Sequence, residues 1–138
     1  MSAHCHGVRG ATTVTENSAA AILAATRELL QAIIAANDMR EPEIASIIFT
    51  ATPDLDAVYP ALAARELGWT RTALMCMQEM AVAGSLPRCI RVLIHWNTDR
   101  SLDELRHTYL REARCLRPDL ADPKPSSLPL SPDTDGVA

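Results

Sequence analysis

Two charges stand where the surrounding sequence argues for burial. Glu79 lies in Cys76-Met77-Gln78-Glu79-Met80 and Arg91 in Cys89-Ile90-Arg91-Val92-Leu93-Ile94, apolar runs joined by a Gly84-Ser85-Leu86-Pro87 link. A guanidinium in such a run is costly unless an anion or a set of hydrogen bonds meets it, so an anionic ligand held in a water-poor place is one candidate chemistry. Arg9 is a further cation in strand-like surroundings, bracketed by Gly7 and Gly10. Those glycines argue for a bend or a close backbone approach, although residue type alone favours an edge strand with an exposed arginine.

Other reactive residues point less clearly. Cysteines at 5, 76, 89 and 115 match neither a zinc-ligand pair nor a compact disulfide framework, which predicts reduced thiols. In His4-Cys5-His6 a strand sends Cys5 to the face opposite the two histidines, so a structural metal is not expected. Twelve of the thirteen basic residues are arginine and only Lys124 is lysine, so position rather than type must single out a functional arginine. There is no Gly-rich phosphate loop, no Gly-x-Ser-x-Gly elbow and no long basic run. With a net charge of -4 the chain does not advertise itself to nucleic acid or to anionic membranes.

The elements that must position these residues can be read in order. The length of 138 residues, with 48% hydrophobic and 22% charged, fits one globular domain. No apolar run approaches the roughly 18 residues that span a bilayer, and Met1–Gly10 lacks the apolar core of a signal peptide, which predicts a cytoplasmic location. A strand is expected over 5–14. Asn17 is the expected N-cap of a helix over 18–36, whose Ile22, Leu23, Thr26, Leu29, Leu30, Ile33 and Ile34 form one apolar stripe. Ile44–Ala51 reads as a strand covered on both faces. A short helix then runs through Leu67 to a Gly68 cap and carries Arg65, for which a solvated charge paired with neighbours such as Glu66 or Asp56 and a ligand role are equal readings.

Strands are expected over 72–80 and 89–98, with a link long enough for an antiparallel return. In the second of these, alternation sends Ile90, Val92, Ile94 and Trp96 to the core and Cys89, Arg91, Leu93 and His95 to a pocket or subunit contact. Ser101 and Glu104 form a capping box that predicts a helix to Arg111 or Glu112, with Tyr109 a core aromatic whose hydroxyl reaches the rim. Residues 118–138, holding five of the nine prolines, read as a mobile tail after a domain over 1–117.

Taken together, Val8–Val14, Ala51–Leu55, Cys76–Met80, Cys89–Val92, Arg106-His107-x-Tyr109-Leu110 and Leu116–Leu120 closely resemble the monofunctional, trimeric chorismate mutases known from Bacillus, over about 8–120. The resemblance implies an α/β (α+β) subunit with a mixed sheet packed against helices. It further implies a pseudo-barrel homotrimer with active sites at the subunit interfaces, and conversion of chorismate to prephenate without a cofactor. Carried over block by block, Arg9, Glu79, Arg91 and Tyr109 are the central polar contacts, with Tyr59, Arg65, Cys76, Leu116 and Arg117 completing the pocket. Two positions depart from the family pattern, Leu62 where lysine is common and Met75 where threonine is, and they touch the rim rather than the chemistry.

An intramolecular rearrangement needs no nucleophile, redox centre or proton shuttle, which accounts for the missing motifs. Arg91 would favour the charge building on the ether oxygen, Arg9 and Tyr109 would bind carboxylate, and Glu79 would accept from the ring hydroxyl and orient Arg91. Cys76 and Glu79, three apart, cannot line one pocket from one regular strand. Together with the shared sites that the resemblance implies, this parity leads to the expectation that Tyr59, Arg65 and Cys76 serve a neighbouring subunit's site. The alternatives are a non-catalytic trimeric binder of small carboxylates and a set of ordinary interface ion pairs.

Overall fold

The computed structural model describes residues 3–121. Five strands, β1 (His4–Thr13), β2 (Ile44–Ala51), β3 (Ala73–Gln78), β4 (Cys89–Thr98) and β5 (Thr108–Tyr109), form one mixed sheet in the order β3-β2-β4-β1-β5. β4 runs antiparallel to both β1 and β2, while β2–β3 and β1–β5 are parallel. β4 runs back antiparallel to β3 as expected, but the two do not pair: β2 lies between them, because a short crossover helix, α2 (Ala61–Glu66), lets β3 pair parallel to β2. β1 is likewise not an edge strand over its whole length, since β5 pairs with it at Gly10 and Ala11.

Helix α1 (Ala19–Asn37) forms where the apolar stripe requires, burying Ile22, Ala25, Leu29, Leu30 and Ile33. Each buried Leu or Ile contributes about 1.5–3 kcal/mol. Its cap is Ser18, whose hydroxyl oxygen accepts from the Ala21 N–H, and Asp38 closes it in the left-handed region. Asn17 is drawn away from that role: its side chain binds the Asp56 carboxylate and accepts from the Asp56 and Ala57 N–H groups. By length and composition α1 is long and apolar enough to cross a membrane, with a mean hydropathy of 1.5 over 18 residues, which corrects the expectation that no stretch reaches that mark. Its apolar stripe is spent on the sheet.

The core lies between these helices and one sheet face, where Val8, Ile47, Phe49, Val92, Ile94 and Trp96 meet Leu29, Leu30, Ile33, Ala63 and Ala64. Gly10 is required there: a Cβ would collide with Ile33 Cδ1 and stand 3.2 Å from the Thr108 carbonyl oxygen. The opposite face carries Arg9, Ile48, Thr50, Met75, Met77, Arg91 and Leu93, with Met75 56% and Met77 46% exposed. Among the described residues of a single chain β2 is therefore covered on one face only, against the expectation of two.

The helix expected after Ser101 does not form. The capping box closes only a single 3-10 turn, Leu102–Glu104, and the chain then extends into β5 before a second 3-10 turn at Arg111–Cys115. Leu102 is 69% exposed, so no apolar stripe holds a helix to the core, and backbone pairing with β1 takes Tyr109 instead. Pro118–Ala121 folds as a short helix, α3; the remainder of the expected tail, 122–138, lies outside the described residues.

Candidate active site

Arg91 leaves β4 on the face turned away from the helices, as alternation requires. Glu79 follows β3 directly, anchored by its N–H donating to the Ala51 carbonyl at 2.9 Å. The two meet as a fork: Arg91 Nε donates to Glu79 Oε2 at 3.0 Å and Nη2 donates to Oε1 at 2.6 Å. Thr50 Oγ1 also donates to Glu79 Oε2, at 2.6 Å. Sequence reasoning missed Thr50, because only the pairing of β2 with β4 brings position 50 opposite position 91.

Electrostatics follow from this geometry. The Arg91 hydrogen bonds, with Thr50 assisting against the cost of burial, hold the Glu79 carboxyl below its ordinary value, and Glu79 in turn raises Arg91 further. Both stay ionised at neutral pH. Burial pushes the Tyr109 hydroxyl up, while the positive charges of Arg9, Arg117 and Arg91 pull it the other way, so it stays a protonated donor in the field of three guanidinium groups. The Cys89 thiol is pushed up to about 11 by burial and supplies no thiolate at neutral pH.

Tyr109 is positioned by β5, paired with Ala11 and packed on Ala11, Ala113, Leu86 and Leu116. Arg9, Arg91 and Tyr109 line a cavity of about 250 Å³, and Arg91 continues into a second of about 730 Å³ lined by Glu79, Leu86, Cys89 and Leu116. Arg117 is largely buried and gripped by Asp119, with Nε to Oδ1 at 3.1 Å and Nη2 to Oδ2 at 2.9 Å.

The remaining expected site residues fall elsewhere. Cys76 turns to the helix side of β3 and shares a separate cavity, about 530 Å³, with Tyr59, which is 76% exposed. Arg65 is exposed on α2 and lines none of the three cavities. Its exposure agrees with the solvated-charge reading, while the two neighbours named for it are engaged elsewhere, Glu66 by Arg27 and Asp56 by Asn17. One chain thus assembles Arg9, Glu79, Arg91, Tyr109, Leu116 and Arg117 on one side of the sheet and leaves Tyr59, Arg65 and Cys76 apart. Among the described residues no group of three or more His, Cys, Asp or Glu side chains is placed to hold a metal.

A cluster of guanidinium groups around a protonated tyrosine can hold carboxylates, and a preorganised guanidinium can stabilise a developing oxyanion. Comparison with known proteins agrees with that chemistry. The profile of the family described as chorismate mutase type I matches residues 5–120. The chain is 53% identical over 115 residues to chorismate mutase AroH of Thermus thermophilus, covering 83% of this chain and 94% of that protein. It is 46% identical over 123 residues to chorismate mutase AroH of Bacillus subtilis (strain 168), covering 88% and 97%. The solved chorismate mutase from Clostridium thermocellum superposes with a TM-score of 0.79 at 52% identity, covering 80% of this chain and 98% of that one. The chain belongs to the chorismate mutase type I family.

Proposed function

We propose that this protein is a cytoplasmic chorismate mutase, an isomerase that converts chorismate to prephenate in aromatic amino acid biosynthesis, working as a homotrimer with active sites at the subunit interfaces. The observation that carries the reading is the Arg91–Glu79 fork set beside Arg9, Tyr109 and Arg117.

The reaction breaks a carbon–oxygen ether bond as a carbon–carbon bond forms, with atoms and electrons conserved inside one molecule. Its demands are conformational and electrostatic. Arg9, Tyr109 and Arg117 bind carboxylate and hold the flexible substrate in its compact conformer, which removes much of the entropic part of the barrier. Arg91 directs N–H donors at the ether oxygen as it gains negative charge, in surroundings where charge is weakly screened. Glu79 fixes the plane of that guanidinium and accepts from the substrate's ring hydroxyl. No step requires a cofactor, because no electron, proton or group leaves the substrate.

Trimer formation is supported by the sheet face bearing Met75, Met77, Ile48 and Leu93, which no helix among the described residues covers. Packing against neighbours would bring the Tyr59–Cys76 cavity and Arg65 of one subunit to the Arg91 side of the next, completing each site. Adding the purified protein to chorismate and following loss of its ultraviolet absorbance tests the activity. Arg91→Ala serves as control, and no turnover by the unaltered protein would overturn the reading.

A further inference from the structure

The backbone that carries Tyr109 is fastened at successive residues, and one fastening uses an imidazole. Asn37, fully buried at the end of α1, grips the Arg106 peptide from both sides: Arg106 N–H donates to Oδ1 at 2.9 Å and Nδ2 donates to the Arg106 carbonyl at 2.8 Å. Two residues beyond His107, the β5–β1 pairing holds Tyr109, and Leu110 N–H donates to the Ala11 carbonyl at 2.9 Å. Between these anchors the Arg9 N–H donates to His107 Nδ1 at 2.9 Å. β5 begins only at Thr108, so the ring takes the place of the next backbone partner along β1.

An imidazole nitrogen that accepts a hydrogen bond carries no proton, so His107 is neutral with its proton on Nε2. We propose that His107 is a positioning residue, which as a neutral Nδ1 acceptor sets the backbone of Arg9 and the spacing between Arg9 and Tyr109, and which releases both when it takes up a second proton. This rests on the reading of Arg9 and Tyr109 as carboxylate-binding groups. The charged groups facing the ring are Arg9 from β1 and Arg117 from the segment before α3, while α1 presents the uncharged Asn37 amide to this segment. Burial first, then those two positive charges, push the His107 pKa down to about 4, which keeps the acceptor intact through neutral pH.

The test compares His107→Asn, whose side-chain oxygen can stand near the Nδ1 position and does not titrate there, with His107→Leu, which offers no acceptor. At neutral pH His107→Leu should raise KM for chorismate ~10-fold with a smaller effect on kcat, and His107→Asn should restore KM to within ~3-fold of the unaltered protein. Toward pH 4 the unaltered protein should lose substrate affinity faster than His107→Asn. In the ligand-free protein, imidazole nitrogen NMR shifts should show an unprotonated Nδ1 and a protonated Nε2. An unaltered KM in His107→Leu, equal defects in both variants, an identical acid limb in His107→Asn, or a protonated Nδ1 would each overturn the proposal. If His107→Leu fails to fold, His107→Asn and the NMR shifts still decide it. Failure of the functional reading is distinguishable, because it would appear as no turnover by the unaltered protein while the NMR shifts report on His107 independently.

Discussion

Arg91 and Glu79 pair across a strand rather than along one: Arg91 is on β4, Glu79 follows β3, and the intervening β2 contributes Thr50 between them. The fork therefore depends on three segments holding register. It presents Arg91 at a fixed angle before any ligand arrives, which is what electrostatic preorganisation requires.

Arg91→Ala should reduce kcat by at least ~10²-fold, by analogy with the loss of an oxyanion donor. Arg91→Lys keeps the charge and loses the planar fork toward Glu79, so it too should show a serious defect in kcat. Steady-state kinetics with chorismate check both, and a near-normal rate in either variant would count against the assignment.

Thr50→Val removes one hydrogen bond to Glu79 Oε2 while preserving side-chain shape, leaving the Arg91 contacts in place. The expected result is a ~3–10-fold loss in kcat/KM, corresponding to one charge-assisted hydrogen bond, with the urea midpoint little changed. A loss confined to stability would make Thr50 structural only.

If each site is shared, Arg91→Ala and Arg65→Ala subunits should complement. Mixing the two inactive variants under conditions of proven subunit exchange should restore part of the activity, since some interfaces then combine an intact Arg91 with an intact Arg65. No recovery would overturn the shared-site reading.

Gly10→Ala should destabilise the fold by about 1–3 kcal/mol, the usual cost of overpacking. The added methyl meets the end of Ile33, which can shift, and the Thr108 carbonyl, which is fixed by β5. Urea denaturation measures the change, and an unaltered midpoint would show that α1 stands off β1 more freely than the packing implies.

Stability should fall on acidification for two reasons of the same sign. Glu79 has a lowered folded value, so its stabilisation is full above the unfolded value near 4.5 and is lost as pH drops through the folded one. His107 is depressed from 6.5 to about 4, so the unfolded chain takes its proton first and stability declines between those values. Tm measured from pH 7 to 4 should decrease, with His107→Asn flattening the upper part of the decline. Because no general acid is needed, kcat should vary little across mid-range pH, and a steep bell-shaped profile would contradict the mechanism.

Much of the fold was legible because period and burial coincide locally. The α1 stripe, the full extent of β2 and β4, and the alternation that puts Arg91 opposite the core follow from residue spacing alone. The Ser101 capping box misled, since a cap specifies where a helix can begin and not whether an apolar face exists to hold it; here β1 offered Tyr109 a better partner. Strand parity separated Cys76 from Glu79, and the structure places them on opposite sides of the sheet.

By itself the sequence determined which charges sit in apolar runs, which face of each strand they take, and the blocks that mark the family. Only the tertiary structure decided that Glu79 reaches Arg91 over β2 with Thr50 between, and that His107 holds Arg9 through its backbone. Spacing along a chain fixes direction within one element, whereas contacts between elements depend on sheet order and register, which are set by the packing of the whole core.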